Sequence, residues 1–145
     1  MRRARWCCEL ESPTITDVEV DLPGSEYAPV SSLTTIPELQ RLSCRFLDIP
    51  YDRWVDLSWC KKLSELRLEE TSSSGDVGHW RGRTVTFPVL RILVLDAREE
   101  IVTTMILNSR FPSLEHLSFG SRCLSADGME RVTAHLKEWS PHLRA

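Results

Sequence analysis

One template, P-x-L-x-x-L-x-L, recurs through this chain as "PTITDVEV" from Pro13, "PELQRLSC" from Pro37, "KKLSELRL" from Lys61, "PVLRILVL" from Pro88 and "PSLEHLSF" from Pro112. A further copy, Pro141-His142-Leu143-Arg144, starts close to the last residue. The first apolar positions are Ile15, Leu39, Leu63, Leu90, Leu114 and Leu143, so the copies lie 24, 24, 27, 24 and 29 residues apart. Five of the eight prolines share one register, which scattered leucines would not produce, and the residue before the template is apolar at Ile36, Cys60, Phe87 and Phe111. A period of this length marks a repeat architecture and constrains the fold more tightly than any local propensity.

The closing L-x-L has the period-two alternation of a strand, which predicts Leu66 and Leu68 facing inward with Glu65, Arg67 and Glu69 outward. Proline is expected as the first residue of each strand, where no ladder donor is needed. Crossovers of about 16 to 20 residues between equally spaced strands imply parallel pairing, and stacking of neighbours then supplies the core that one repeat cannot build alone. Helices are predicted in "SADGMERVTAHLKEW", with Ser125 as N-cap and Met129, Val132 and Leu136 on one face, and in "REEIVTTMILNSR", where Ile101, Val102, Met105 and Ile106 share a face. "DIPYDRWVDLSWC" reads as a short helix with Pro50 in its first turn and Trp54, Val55 and Leu57 for the core, while "EYAPVSSLTT" and "TSSSGDVGHWRGRT" read as loops.

"FPVLRILVL" and "FPSLEHLSF", set at irregular intervals, resemble the leucine-rich-repeat portion of fungal F-box proteins over roughly residues 12 to 145. The resemblance implies an α/β fold: an irregular leucine-rich-repeat solenoid with parallel strands on the concave side and helices and loops on the convex side. Residues 1–11 are then an N-terminal tail or the remnant of a preceding repeat, and residues 12–145 hold about five repeats with a truncated sixth. The Asn or Cys of the longer template would fall at Pro23, Leu47, Thr71, Arg98 and Arg122 and is missing each time, which favours an irregular solenoid over a regular horseshoe. No N-terminal F-box segment of the "LPxEIL" kind stands in these residues, so recruitment of a ubiquitin-ligase adaptor is not carried over with the repeats.

Composition narrows the partners. With 18 Lys plus Arg against 21 Asp plus Glu the net charge is −3, which advertises neither a nucleic-acid nor a membrane partner, and Arg2, Arg3 and Arg5 form the only basic run. No window approaches a membrane span, and no apolar segment follows the charged N-terminus. Cys7, Cys8, Cys44, Cys60 and Cys123 are odd in number and lack zinc-type spacing, so reduced thiols in the cytoplasm or nucleus are expected.

Lining up the outward strand positions gives three rows: Asp17, Arg41, Glu65, Ile92, His116; Glu19, Ser43, Arg67, Val94, Ser118; and Asp21, Arg45, Glu69, Asp96, Gly120. Charges such as Arg41 beside Asp17 and Glu65 suit cross-strand pairs worth roughly 0.2–1 kcal/mol each. Ile92 and Val94 are harder to account for on an open face and point either to a partner or to a covering loop or terminal segment. The candidate protein-binding residues are therefore Arg41, Glu65, Arg67, Ile92, Val94 and His116.

His79, His116, His135 and His142 have no acid or thiol at a catalytic or metal-binding spacing, and Cys7-Cys8 lacks a C-x-x-C motif. Cys44 reads as a small core residue, and Trp54, Trp59, Trp80 and Trp139 as core and rim packing. The glycine-rich "GDVGHWRGRT" (residues 75–84) superficially suggests a phosphate loop, but its glycine spacing is wrong and a strand follows it instead of a helix.

The expectation is a non-enzymatic protein–protein interaction module, with no cofactor, no metal, and no nucleic-acid or membrane partner, acting as a monomer or within a larger chain. The resemblance extends this to the substrate-recognition part of an F-box-type ubiquitin-ligase receptor. The alternatives are a truncated gene product without independent function, suggested by the interrupted sixth copy and the lack of polar caps, and, more remotely, a nucleotide-binding protein using residues 75–84.

Overall fold

The computed structural model describes residues 3–5, 17–21, 38–45, 51–71, 83–120 and 124–144. Its elements, in order, are β1 (Arg3–Arg5), β2 (Asp17–Asp21), β3 (Arg41–Arg45), α1 (Tyr51–Ser58), β4 (Glu65–Thr71), β5 (Val85–Thr86), β6 (Ile92–Ala97), α2 (Glu99–Leu107), β7 (Ser109–Arg110), β8 (His116–Phe119) and α3 (Ala126–Trp139). Six strands form one parallel sheet in the order β1-β2-β3-β4-β6-β8, and β5 pairs with β7, also in parallel. The fold is thus mixed α/β around a parallel sheet.

The repeat sets the register. Leu42, Leu66, Leu93 and Leu117 are successive partners across four strands, and Cys44 aligns with Leu68 and Leu68 with Leu95. Leu42, Cys44, Leu66, Leu68, Leu93 and Leu95 are buried, as the alternation predicts. They share one core with Trp54 and Leu57 of α1, Ile101, Val102, Met105 and Ile106 of α2, and Val132 and Leu136 of α3. All three helices therefore pack on the inward side of the sheet.

Among the described residues, Pro88 and Pro112 stand in the turn before β6 and β8 and not, as expected, at the first strand residue. The Leu114 N–H reaches Phe111 O at 3.1 Å across Pro112-Ser113, Leu63 reaches Cys60 O at 3.0 Å, and Leu143 reaches Ser140 O at 3.1 Å. Each is a β-turn, with Lys61 at the second position of the Leu63 turn and Pro112 or Pro141 in the other two, where proline's fixed φ near −65° is already the one required. The turn drives the template leucine into the core, where Leu39, Leu63, Leu90 and Leu114 are fully or almost fully buried. One carbonyl then serves two strand-entry amides: Gln40 O accepts from Ser64 and Glu65, Ser64 O from Arg91 and Ile92, and Arg91 O from Glu115 and His116.

Phe87 and Phe111, the residues before two template copies, stack with each other, and Trp54 of α1 joins them. Trp54 and Phe87 have ring centroids 4.6 Å apart, and Phe87 and Phe111 lie 5.6 Å apart with their planes 20° from parallel. The Trp54 Nε1–H donates to Ser109 Oγ at 2.7 Å, Ser109 Oγ–H donates to Met105 O at 2.5 Å, and His135 Nε2 lies 2.8 Å from Ser109 O. A buried serine of β7 thereby ties α1, α2 and α3 together.

The three predicted helices are present, with corrections in detail. Met129 is exposed, and Gly128, Val132 and Leu136 form the buried face of α3. Ser125 caps α3 as predicted, its Oγ accepting from Gly128 N at 3.2 Å, and it also donates to Glu99 Oε1 at 2.5 Å. Trp59 is 67% exposed instead of packed, because Cys60 takes the buried position after α1 and turns its neighbour outward. Trp54 is buried, and Trp139 is half-buried with the Arg110 guanidinium 3.9 Å over its ring. The short β5–β7 pair has no counterpart in the template-based reading. Residues 26–35 and 72–82, with His79 and Trp80, and Cys7, Cys8 and Cys123, lie outside the described residues.

Candidate interaction surface

The sheet brings the outward positions into rows. Asp17, Arg41, Glu65, Ile92 and His116 are successive strand partners, as are Glu19, Ser43, Arg67, Val94 and Ser118. The six candidate residues Arg41, Glu65, Arg67, Ile92, Val94 and His116 thus occupy adjoining positions on one face. The third row breaks: between β4 and β6 the register moves from Leu68↔Leu95 to Thr71↔Ala97, so Glu69 does not stand opposite Asp96 as the repeat implied. Three residues against two is a bulge, which a repeat length of 27 in place of 24 accommodates.

Charges on this face are mostly satisfied within it. Arg41 Nε donates to Asp17 Oδ1 at 3.0 Å across β2 and β3, and that carboxylate holds the Arg41 pKa above its usual value, with Glu65 a smaller influence. Arg67 pairs along its own strand, with Nε 2.5 Å from Glu65 Oε1, and not across to a neighbour. Ile92 and Val94 are half-buried on the outward side, between this Glu65–Arg67 pair and the exposed His116 and Ser118.

Sequence alternation missed the rim. Arg91 and Glu115 are the last residues before β6 and β8 and form a two-bond pair, Nε to Oε1 at 3.0 Å and Nη2 to Oε2 at 2.8 Å. The pair raises the Arg91 pKa and lowers that of Glu115. Lys62 Nζ reaches Glu38 Oε2 at 2.7 Å in the same way, two template positions earlier. The detectable signal was opposite charge at identical template positions 24 residues apart.

Two hollows flank the Arg91–Glu115 pair. One, of about 330 Å³, lies toward Gln40, Arg41, Ser64, Glu65 and Ile92. The other, of about 630 Å³, is closed by His116 and by His142, Leu143 and Arg144 of the last template copy. That copy continues the entry pattern, since Arg144 N–H approaches Glu115 O at 3.4 Å.

Cys44 and Cys60 are buried thiols outside any disulfide, their pKa values pushed up by burial to about 12 and about 11, with Asp56 adding to the effect at Cys60. A thiol so disfavoured as thiolate is a poor nucleophile and a poor metal ligand. Among the described residues, no three His, Cys, Asp or Glu side chains gather as a metal site requires, and no helix is long and apolar enough to cross a membrane. Of "GDVGHWRGRT", Arg83 and Thr84 are described; they run directly into β5, and Arg83 sits 5.1 Å over the Tyr51 ring. No protein-family model, curated protein or solved structure matches this chain, so its role is read from its own residues.

Proposed function

We propose that the chain is a non-enzymatic protein-interaction module of the leucine-rich-repeat type, an irregular solenoid that offers the outward side of its parallel sheet to a protein partner. The observation that carries this reading is Ile92 and Val94, two β-branched apolar side chains on the face opposite the one that α1, α2 and α3 pack against. Apolar groups kept partly in water beside the Glu65–Arg67 and Arg91–Glu115 pairs suit a contact whose centre is desolvated and whose rim stays polar. Thiols outside any disulfide at Cys44 and Cys60 support a reducing compartment, the cytoplasm or nucleus. By resemblance of the repeats, the partner would be a substrate presented to a ubiquitin ligase.

The test is cross-linked affinity capture with the wild-type chain and with Ile92→Asp plus Val94→Asp. Proteins captured by the wild type should be lost from the variant while its circular dichroism stays unchanged. Capture that is indifferent to the double substitution would exclude the outward sheet face as the binding surface.

A further inference from the structure

Resting on that reading of the face, the rim where the strands begin adds a statement about what it binds. Between β2 and β6 three cations have carboxylate partners: Arg41 with Asp17, Arg67 with Glu65 and Lys62 with Glu38. At the β8 end the balance changes. Glu115 is the only carboxylate of the larger hollow among the described residues, and both of its oxygens are engaged by Arg91. Arg144, His116 and His142 face the same space without a carboxylate within ion-pair distance among the described residues. Among the described residues, a chain of net charge −3 therefore carries a local cationic surplus at one end of its outward face.

The two hollows share Arg91, Glu115 and His116, so they form one trough along the strand entries, with Ile92 on the side of the smaller. The trough passes β3, β4, β6, β8 and Arg144, which at about 4.8 Å per strand is about 19 Å, the length of five or six extended residues at about 3.3 Å each. We propose that this trough binds an extended acidic peptide segment of about that length, one carboxylate entering the hollow among Arg144, His116 and His142 and an apolar side chain resting on Ile92. The carboxylate gains a guanidinium and imidazole N–H donors that form no ion pair among the described residues and feel Glu115 only at longer range, that acid being engaged by Arg91, and the apolar residue covers surface that otherwise stays in water.

The test is fluorescence anisotropy with three labelled, end-blocked hexapeptides alternating Leu with Glu, Gln or Lys. The Glu peptide should bind at least about tenfold more tightly than the Gln peptide at low salt, with the advantage shrinking in about 0.5 M salt. Arg144→Gln, at an exposed position, should remove most of that advantage and leave circular dichroism unchanged. Equal binding of Glu and Gln peptides, both lost in Ile92→Asp plus Val94→Asp, would overturn the acidic preference while retaining the interaction face. Preference for the Lys peptide, no binding of any peptide at millimolar concentration, or a Glu preference that survives Arg144→Gln would each overturn the proposal. The interaction reading itself fails separately, through unaltered partner capture.

Discussion

Glycine at position 128 is held by a carboxylate from another repeat, and that makes the effect of Gly128→Ala depend on a residue 29 positions away. A β-carbon on Gly128 would collide with Glu99 Oε1 and approach Leu124 Cδ2 to 3.3 Å. Position 128 lies in the first turn of α3, where alanine gains roughly 0.8–1 kcal/mol of helix propensity over glycine. To make room, the Glu99 carboxylate must leave. That forfeits its bond from Ser125 Oγ, worth about 0.5–1.5 kcal/mol, and its position at the positive end of α3, worth about 0.3–1 kcal/mol. Gly128→Ala alone should therefore be neutral to destabilising by about 1.5 kcal/mol. In a Glu99→Ala background the same change should stabilise by up to about 1 kcal/mol, since only the helix term and the common Leu124 contact remain. Urea unfolding of the four proteins measures the coupling, expected at about 1–2 kcal/mol. If Gly128→Ala shifts the midpoint equally in both backgrounds, Glu99 does not occupy the helix end.

Three further outcomes follow from buried groups. Ser109→Ala removes the acceptor that the buried Trp54 Nε1–H uses and should lower stability by about 1–3 kcal/mol, accompanied by a changed tryptophan emission. Ser140 stands where earlier copies carry Phe87 and Phe111, and its buried Oγ has no partner among the described residues, so Ser140→Ala should be neutral or stabilise by up to about 1 kcal/mol in thermal unfolding. The thiols set an alkaline limit: Cys44 and Cys60 titrate near 12 and 11 in the folded chain but near 8.5 when unfolded, so stability is full below about pH 8.5 and declines as pH rises toward 11 and 12. Cys44→Ala plus Cys60→Ala should flatten that decline in urea titrations at pH 8 and 10, and an unchanged slope would contradict the assignment.

The parallel sheet was legible because the repeat specifies register directly: identical template positions became strand partners from Asp17 through His116. Inward and outward sides followed from alternation, and the helices from apolar spacing and the Ser125 cap. The errors arise where a second rule overrides the first. Proline was assigned to the strand because it tolerates a missing donor there, yet its fixed φ serves the preceding turn better. Met129 matched the apolar spacing of α3, but close approach of α3 to Glu99 and Leu124 selects the face carrying Gly128. Arg91 and Glu115 were overlooked because alternation gives no direction to residues just outside a strand. Their pairing is a property of two neighbouring repeats, visible only when copies are read against each other.

Strand pairing at 24 or 27 residues of separation also governs how the chain can assemble. Leu42 meets Leu66, Leu66 meets Leu93 and Leu93 meets Leu117, so no pair in this set can form as a local hairpin. Every closure carries nearly the same chain entropy; lengthening the loop from 24 to 27 residues adds only about 0.1 kcal/mol. The enlarged crossover before β6 is therefore almost free in kinetic terms, and the strands differ in what their crossovers contribute during the search. Between β6 and β8 the crossover is α2, which contacts β6, β7 and α3, so helix formation shortens the search and delivers Ile101 to Ile106 to the core together. Assembly should nucleate at β6-α2-β8, with β4 and then β3 adding to a template already in place.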